Sequence, residues 1–435
     1  MIRVQCFHDL SQADRFRNEL NAINLSSIRP DPFSTFEFYE NYLCNVESSS
    51  KGARLWLLLA FEGHRLVGYI ALRRSLQRIL GLPAYKIDLL TAHGSDRPHL
   101  VALQGHENPV RAAVYQYLLE RRSEWGLLEF QEQEEESGLL PLPEQKTWSR
   151  YRLRRWPNLA NGTIALRWST TNAYFSALSK KTRSNISRQV RSLLAAGSVQ
   201  YLSSDDPEVM KTLFELYQAV EKHSWKAQAL AGVGRDSRSL AYYTRLMEPG
   251  QPMRIRIQVL IMNGIPIAGL ITGSFAKGLY ALHIVHDDRL SHLAPGSAVL
   301  LMGLRQAIEG GYGFFNLLRG FGYYKERWLA RMSATESLQI YRVGSLFFWR
   351  RLLGDLKRQW ESLLARPPTG DPVIRFNPVR REVELHPFYL RAESPAELPR
   401  PAESEPYTEL IAQARRGKGE FLTARNLAAA MPFPT

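Results

Sequence analysis

Cysteine is nearly absent: the 435-residue chain holds only Cys6 and Cys44. That excludes a disulfide-stapled scaffold. Neither thiol stands at a metal-ligand spacing, so no zinc cluster and no resident metal are expected. Long apolar runs are missing too. The longest, around Leu55–Phe61, falls far short of the roughly 20 residues that cross a bilayer. The opening residues, MIRVQCFHDLSQADRF, carry acids and arginines where a secretory signal needs an apolar core. A cytoplasmic protein with reduced thiols and no transmembrane segment is therefore expected. Acidic residues are in deficit: 42 Asp and Glu face 56 Lys and Arg, a formal charge of +14. The excess favours anionic partners, whether phosphorylated small molecules, nucleic acid or an acidic membrane surface. No helix-turn-helix, RNP-like or zinc signature is present, which argues against a DNA partner.

What is present is enough apolar material for more than one core, with 45% hydrophobic and 11% aromatic residues. The length suits two compact domains. The last 70 residues, from Arg366, hold 11 of the 24 prolines. Few helices or central strands tolerate that density. This tail is expected to be extended, apart from one short amphipathic helix over Tyr407–Ala414.

One order of elements occurs twice. RLWLLLAFEGHRLVGYIALRR reads as a hairpin, followed by a strand (Tyr85–Leu90), a polar loop, a helix (Glu107–Arg121) and a short strand (Gly126–Phe130). RIRIQVLIMNGIPIAGLITGSF repeats the hairpin, with Asn263–Gly264 as its turn. A strand (Gly278–His286), a loop, a helix (Pro295–Glu309) and a strand (Phe314–Leu318) follow it. The repeated order suggests a tandem duplication. Between the copies, basic residues around Arg150–Arg155 precede the helix SKKTRSNISRQVRSLLAAG, with Ser179 as N-cap and Gly197 beyond its end. Ile186, Val190, Leu193 and Leu194 share one face; Lys180, Lys181, Arg183, Arg188 and Arg191 share the other. With no acid interleaved, that face is expected to bind an anion, the alternative being a solvated face.

Two further stretches could carry chemistry. At HLAPGSAVL, Pro295 suits a first helical turn, and Gly296, Ser297 and Ala298 are small. A phosphate or pyrophosphate could rest on the N–H groups there. After a strand ending at Asn316–Leu318, RGFGYYKERW offers Gly320, Tyr323, Tyr324 and Lys325. Lys325 could stabilise an oxyanion and a tyrosine could protonate a leaving group. The alternative is that these are core aromatics and a surface charge. His283, His286, Asp287 and Asp288 cluster at one strand end. Strand geometry sends the two histidines to opposite faces, which splits any HxxHDD metal site. His286 with Asp287 or Asp288 is the expected general base. Helix SLFFWRRLLGDLKRQWESLL reads as a capping helix or, alternatively, a membrane-surface helix.

The run from Ser179 to Trp328 resembles the acetyltransferase domain of CelD-like proteins of cellulose biosynthesis, within the GNAT superfamily. The basic helix, HLAPGSAVL and GFGYYKERW carry the likeness, and FSTFEFYENYL with the first hairpin extends it over most of residues 30–345. The resemblance implies an α+β fold of two tandem GNAT-like domains, with mixed, mostly antiparallel sheets and flanking helices, as in the Fem peptidyltransferases. It suggests domains over 1–155 and 156–365, with the Pro-rich tail over 366–435. It implies an N-acyltransferase using acyl-CoA, most simply acetyl-CoA, and an amine acceptor on a sugar, sugar nucleotide or envelope and exopolysaccharide precursor. Pro295, Gly296, Ser297, Ala298 and Asn316 would hold the cofactor. Lys180, Arg183, Arg188, Arg191 and Gly320 would bind the phosphorylated substrate. Lys325 would lie at the transfer centre with Tyr324 and Tyr323. Asp96 and His93 in the first half read as a vestigial or acceptor-binding counterpart. Leu293 stands where the GNAT loop has Gln or Arg. That departure leaves open an aminoacyl-tRNA donor, as in Fem-like enzymes, or a non-catalytic scaffold of a polysaccharide assembly.

Overall fold

Alternate residues of the apolar runs enter different cores. Leu55, Leu57, Leu59 and Phe61 pack in one cluster, while Trp56, Leu58 and Ala60 pack in another. Ile255, Ile257, Val259 and Ile261 divide from Leu260 and Met262 in the same way. Side chains alternate along a strand, so an unbroken apolar run means a sheet covered on both faces.

The structure, a computed structural model, describes residues 2–47, 53–90, 96–134, 139, 142, 150–229, 231–320, 325–364 and 405–430. The first half contains β1 (Ile2–Phe7), α1 (Leu10–Ala13), α2 (Arg17–Leu25), α3 (Phe36–Tyr42), β2 (Arg54–Glu62), β3 (Arg65–Ile79), β4 (Leu82–Leu89), β5 (Val101–Ala102), α4 (Glu107–Glu120) and β6 (Leu127–Gln133). Then come β7 (Tyr151–Ala165), α5 (Thr171–Ala177) and α6 (Lys180–Ala196). The second half contains β8 (Val199–Ser204), α7 (Pro207–Glu221), α8 (Trp225–Gln228), α9 (Ser237–Leu246), β9 (Arg254–Met262), β10 (Ile265–Phe275), β11 (Gly278–His286), α10 (Pro295–Glu309) and β12 (Phe314–Arg319). β13 (Arg331–Arg342), α11 (Leu346–Leu364), α12 (Glu405–Arg416), β14 (Glu420–Thr423) and α13 (Ala424–Ala430) close the chain.

All these strands join one mixed sheet, in the order β1-β2-β3-β4-β6-β13-β7-β12-β11-β10-β9-β8-β14, with β5 beside β3. The two halves repeat one plan. In each, an antiparallel set of four strands is followed by a helix and a strand parallel to the fourth, β6 on β4 and β12 on β11. The β9–β10 hairpin turns at Asn263 and Gly264, both at positive φ (+52° and +80°), the geometry that favours this residue pair.

The last strand of each half is exchanged. β7 follows β6 in sequence but pairs with β12 of the other half. β13 follows β12 but pairs with β6. The two exchanged strands also pair with each other. The sequence-based boundary at 155/156 therefore falls inside β7. Arg152, Arg154 and Arg155 are strand residues at the joint.

Helices cover the sheet in two layers. α2, α3, α7 and α9 share a core that crosses both halves; Asn41 donates to the Tyr242 carbonyl at 3.0 Å and Phe38 meets the Tyr242 ring edge-on. On the opposite face α4 covers the first half, and α5, α6 and α10 cover the second. Of the tail, residues 366–404 and 431–435 lie outside the described residues; within 405–430 the expected helix is joined by a strand and a second helix. Between 405 and 430 proline occurs once, at Pro406, so regular structure is possible there. α12 contains the expected helix and buries Ile411 and Ala414 in the shared core. β14 pairs with β8 and covers an edge of the sheet.

Candidate functional site

The turn into α10 is unusual for a helix start. Ala294 takes a left-handed conformation (φ +50°), no side chain caps the helix, and its first turn holds no acid. Pro295 has no N–H, and the N–H groups of Ser297 and Ala298 bond to the Ala294 carbonyl at 3.0 and 3.4 Å, so this start offers the Gly296 N–H and the positive end of the helix dipole. Gly296 and Ser297 of this turn border a cavity of about 750 Å³. Lys181 and Asn185 of α6, Trp225 and Lys226 of α8, His286 of β11 and Trp328 also line it. β11 and β12 pair only over Gly278–Tyr280 and Phe314–Asn316. Beyond that they part, and Ile284 and His286 of β11 border the cavity. A diphosphate fits this chemistry: the Gly296 N–H and the positive end of the helix, with two lysines beside them.

His286 packs on Gly296 so closely that a Cβ there would stand 3.1 Å from its Nδ1. Its Nε2 lies 3.4 Å from Asp288 Oδ1. Burial lowers the His286 pKa, with Asp288 opposing, so a neutral imidazole is favoured. Asp287 is committed elsewhere. It is buried, caps the turn after β11 and forms a two-pronged pair with Arg289. Asp288, not Asp287, is the partner of His286.

Lys226 is a site residue that sequence reasoning missed. Its Nζ lies 3.2 Å from His283 Nε2, and burial pushes its pKa down to about 8. His283 Nδ1 meets the Tyr217 hydroxyl at 2.5 Å. Burial and then Lys226 push the His283 pKa down to about 3. The Glu221 carboxylate lies 3.8 Å from His283 and accepts from the N–H groups of Val233 and Gly234, each at 2.9 Å. Polar groups thus lead from the cavity into α7. The two histidines part as strand geometry requires, His283 toward α7 and His286 toward α10. The only sequence signal for Lys226 is Trp225 beside it, in a short helix after a polar break.

The other expected residues divide. Pro295 occupies the first turn of α10 and Ala298 is buried in the core beneath it; neither lines the cavity. Leu293, at the consensus Gln or Arg position, is buried in the same core. On α6, Lys181 reaches the cavity, whereas Lys180, Arg183, Arg188 and Arg191 do not. Arg183 instead donates to the carbonyls of Ser176 and Leu178 at the end of α5. Asn316 borders a separate cavity of about 230 Å³ at the joint, with Arg29, Asp31, Asp96 and Arg97. Tyr323, Tyr324 and His93 lie outside the described residues.

Lys325 is completely buried and does not line the larger cavity. Its Nζ donates to the carbonyls of Leu317 and Leu318. Burial lowers its pKa to about 8, with Asp96 opposing. A Cβ on Gly320 (φ +141°) would come 3.4 Å from that Nζ. Asp96, from the first half, accepts from the Arg319 N–H at 2.9 Å, from Asn161 and from Arg97. Lys325 therefore belongs to a buried network that joins the halves. The sequence left its partners open because all of them are distant in the chain or are backbone carbonyls.

Residues 180–326 match the family described as the acetyltransferase (GNAT) domain. The second half thus carries a GNAT-fold acetyltransferase domain, and the match spans α6, the cavity turn and Lys325. Among solved structures, a crystal structure of FemX is 12% identical, with 77% of this chain and 96% of that chain covered at a TM-score of 0.51. A tandem GNAT protein from the clavulanic acid biosynthesis pathway is 10% identical, with 79% and 99% covered at a TM-score of 0.45. The comparison with curated proteins gave no match.

Proposed function

We propose that the chain is an N-acyltransferase that moves an acyl group, acetyl in the simplest case, from acyl-CoA to an amine on a sugar, sugar nucleotide or envelope precursor. The supporting observation is the acid-free, uncapped start of α10 beside the 750 Å³ cavity. The backbone N–H of Gly296 and the side chain of Lys181 would hold the donor's diphosphate. Lys226, or His286 with Asp288, would take the proton that the acceptor amine loses. Holding donor and acceptor together would supply much of the rate. Lys325 would act as a positioning residue, holding the Leu317 and Leu318 carbonyls at the end of β12. The pairing of β7 with β12 and of β13 with β6 supports a division of the chain into two interlocked halves.

Calorimetry should show one acetyl-CoA site per chain. No heat with any CoA thioester would overturn this reading. A second reading, an aminoacyl-tRNA donor, is favoured by Lys180, Arg188 and Arg191, which stand exposed on α6 away from the cavity. It requires RNA to co-purify and binding to fall steeply with salt.

A further inference from the structure

Apolar residues recur along α11 at one spacing. Trp349, Leu353, Leu356 and Trp360 stand at i, i+4, i+7 and i+11, which places them in a single stripe. They are 51%, 59%, 53% and 66% exposed. A helix on a globular domain ordinarily turns such a stripe inward. Here, over 346–360, only Phe347 is buried. It anchors the first turn in a small cluster with Ile79, Ala84, Leu127 and Tyr341. Ile79 and Ala84 belong to the β3–β4 hairpin, whose tip exposes Leu80 (90%) and Leu82 (55%). Two neighbouring elements thus present tryptophan and leucine to solvent.

Charge selects what would cover them. α11 carries Arg350, Arg351, Lys357 and Arg358 against Asp355 and Glu361, and exposed Arg78 stands beside the hairpin tip. Arg351 and Arg358 both pair with Asp355, which leaves the helix net positive on a chain of charge +14. A Trp/Leu stripe bordered by arginine and lysine suits the headgroup boundary of an anionic bilayer. The rings sit at the interface, and the long basic side chains reach the phosphates. With six charged residues in 19, α11 would lie on a membrane and not cross it; among the described residues no helix is long and apolar enough to span one.

We propose that α11 and the tip of the β3–β4 hairpin form a docking face for anionic lipid bilayers, with Trp349, Leu353, Leu356 and Trp360 turned toward the acyl chains. No residue of the α10 cavity belongs to this face, so docking and acyl transfer are separable.

Flotation of the full chain with phosphatidylcholine vesicles, with and without phosphatidylglycerol, tests this. Binding should be about tenfold or more tighter to the anionic vesicles, weaken with salt, and move tryptophan emission to shorter wavelength. The variant W349S/L353S/L356S/W360S should lose that binding about tenfold or more, while its melting temperature and its affinity for acetyl-CoA stay unchanged. Wild-type protein that floats with neither vesicle would overturn the proposal, as would a variant that floats equally well. Sedimentation velocity without lipid separates a second copy of the chain. A wild-type dimer that the same variant turns into monomer, with no vesicle binding, would assign the face to self-association. Loss of acetyl-CoA binding alone would count against the acyltransferase reading and leave this one standing.

Discussion

The two halves build the same strand-helix-strand unit but treat the start of its helix in opposite ways. In the first half α4 begins with Glu107, whose carboxylate accepts the Gly105 N–H at 2.9 Å. The positive end of that helix already has an anion of its own. In the second half α10 begins Pro295-Gly296-Ser297, holds no acid in its first turn and borders the 750 Å³ cavity beside Lys181 and Lys226. One copy places an acid of its own at the helix start, and the other leaves its first turn without one. A repeated unit can thus differ in the charge at its helix start through the presence or absence of a single carboxylate.

The largest effect is expected where the halves meet. Lys325→Ala removes the donor to two buried carbonyls and opens a cavity beside Gly162, whose Cβ would stand 2.8 Å from Lys325 Cδ. It should lower stability by about 3 kcal/mol in urea unfolding. An unchanged midpoint would show that the network does not tie the halves together.

Lys226→Met should cut kcat/KM about a hundredfold and remove an apparent pKa near 8 from the pH–rate profile. The same lysine affects stability. Its pKa falls from 10.5 to about 8 on folding, so between these pH values the unfolded chain binds more protons and stability rises with pH. Below about pH 8 the penalty is constant. Lys226→Met should remove its share of that slope, leaving the part from Lys325, which is lowered in the same direction. Thermal melts at pH 8 and pH 10 compare the two proteins.

Ser297→Asp sharpens the comparison directly, because it gives α10 the acid that α4 already has. Acetyl-CoA affinity should fall about tenfold, with the melting temperature unchanged or slightly raised by the favourable dipole contact. Retained affinity would place the donor elsewhere. The reciprocal change, Glu107→Gln, should cost only about 0.5 kcal/mol and leave acetyl-CoA binding as it was.

Much of the fold was legible in the sequence. The Asn263–Gly264 turn, the extent of β11 and α10, the Ser179 cap of α6 and the repeated order all rest on local signals. Part of the candidate site was legible for the same reason: the small residues after Pro295 mark the helix start that borders the cavity. The face of α6 that borders the cavity was less so. Five cations share one side, but a helix meets a cavity along a narrow strip, and Lys181 is the one that falls on it. Asp287 and Asp288 were indistinguishable until Arg289 was seen to hold the first.

The sequence by itself determined the alternation that buries both sheet faces, the turns, the helix caps and the duplicated plan. Each depends on the conformational preferences and spacing of neighbouring residues. Only the tertiary structure decided the exchange of β7 and β13, the burial of Lys325 beside Asp96, and the meeting of Lys226 with His283 across 57 residues. Those outcomes depend on which distant surfaces share a desolvated space, and spacing along the chain carries no record of that.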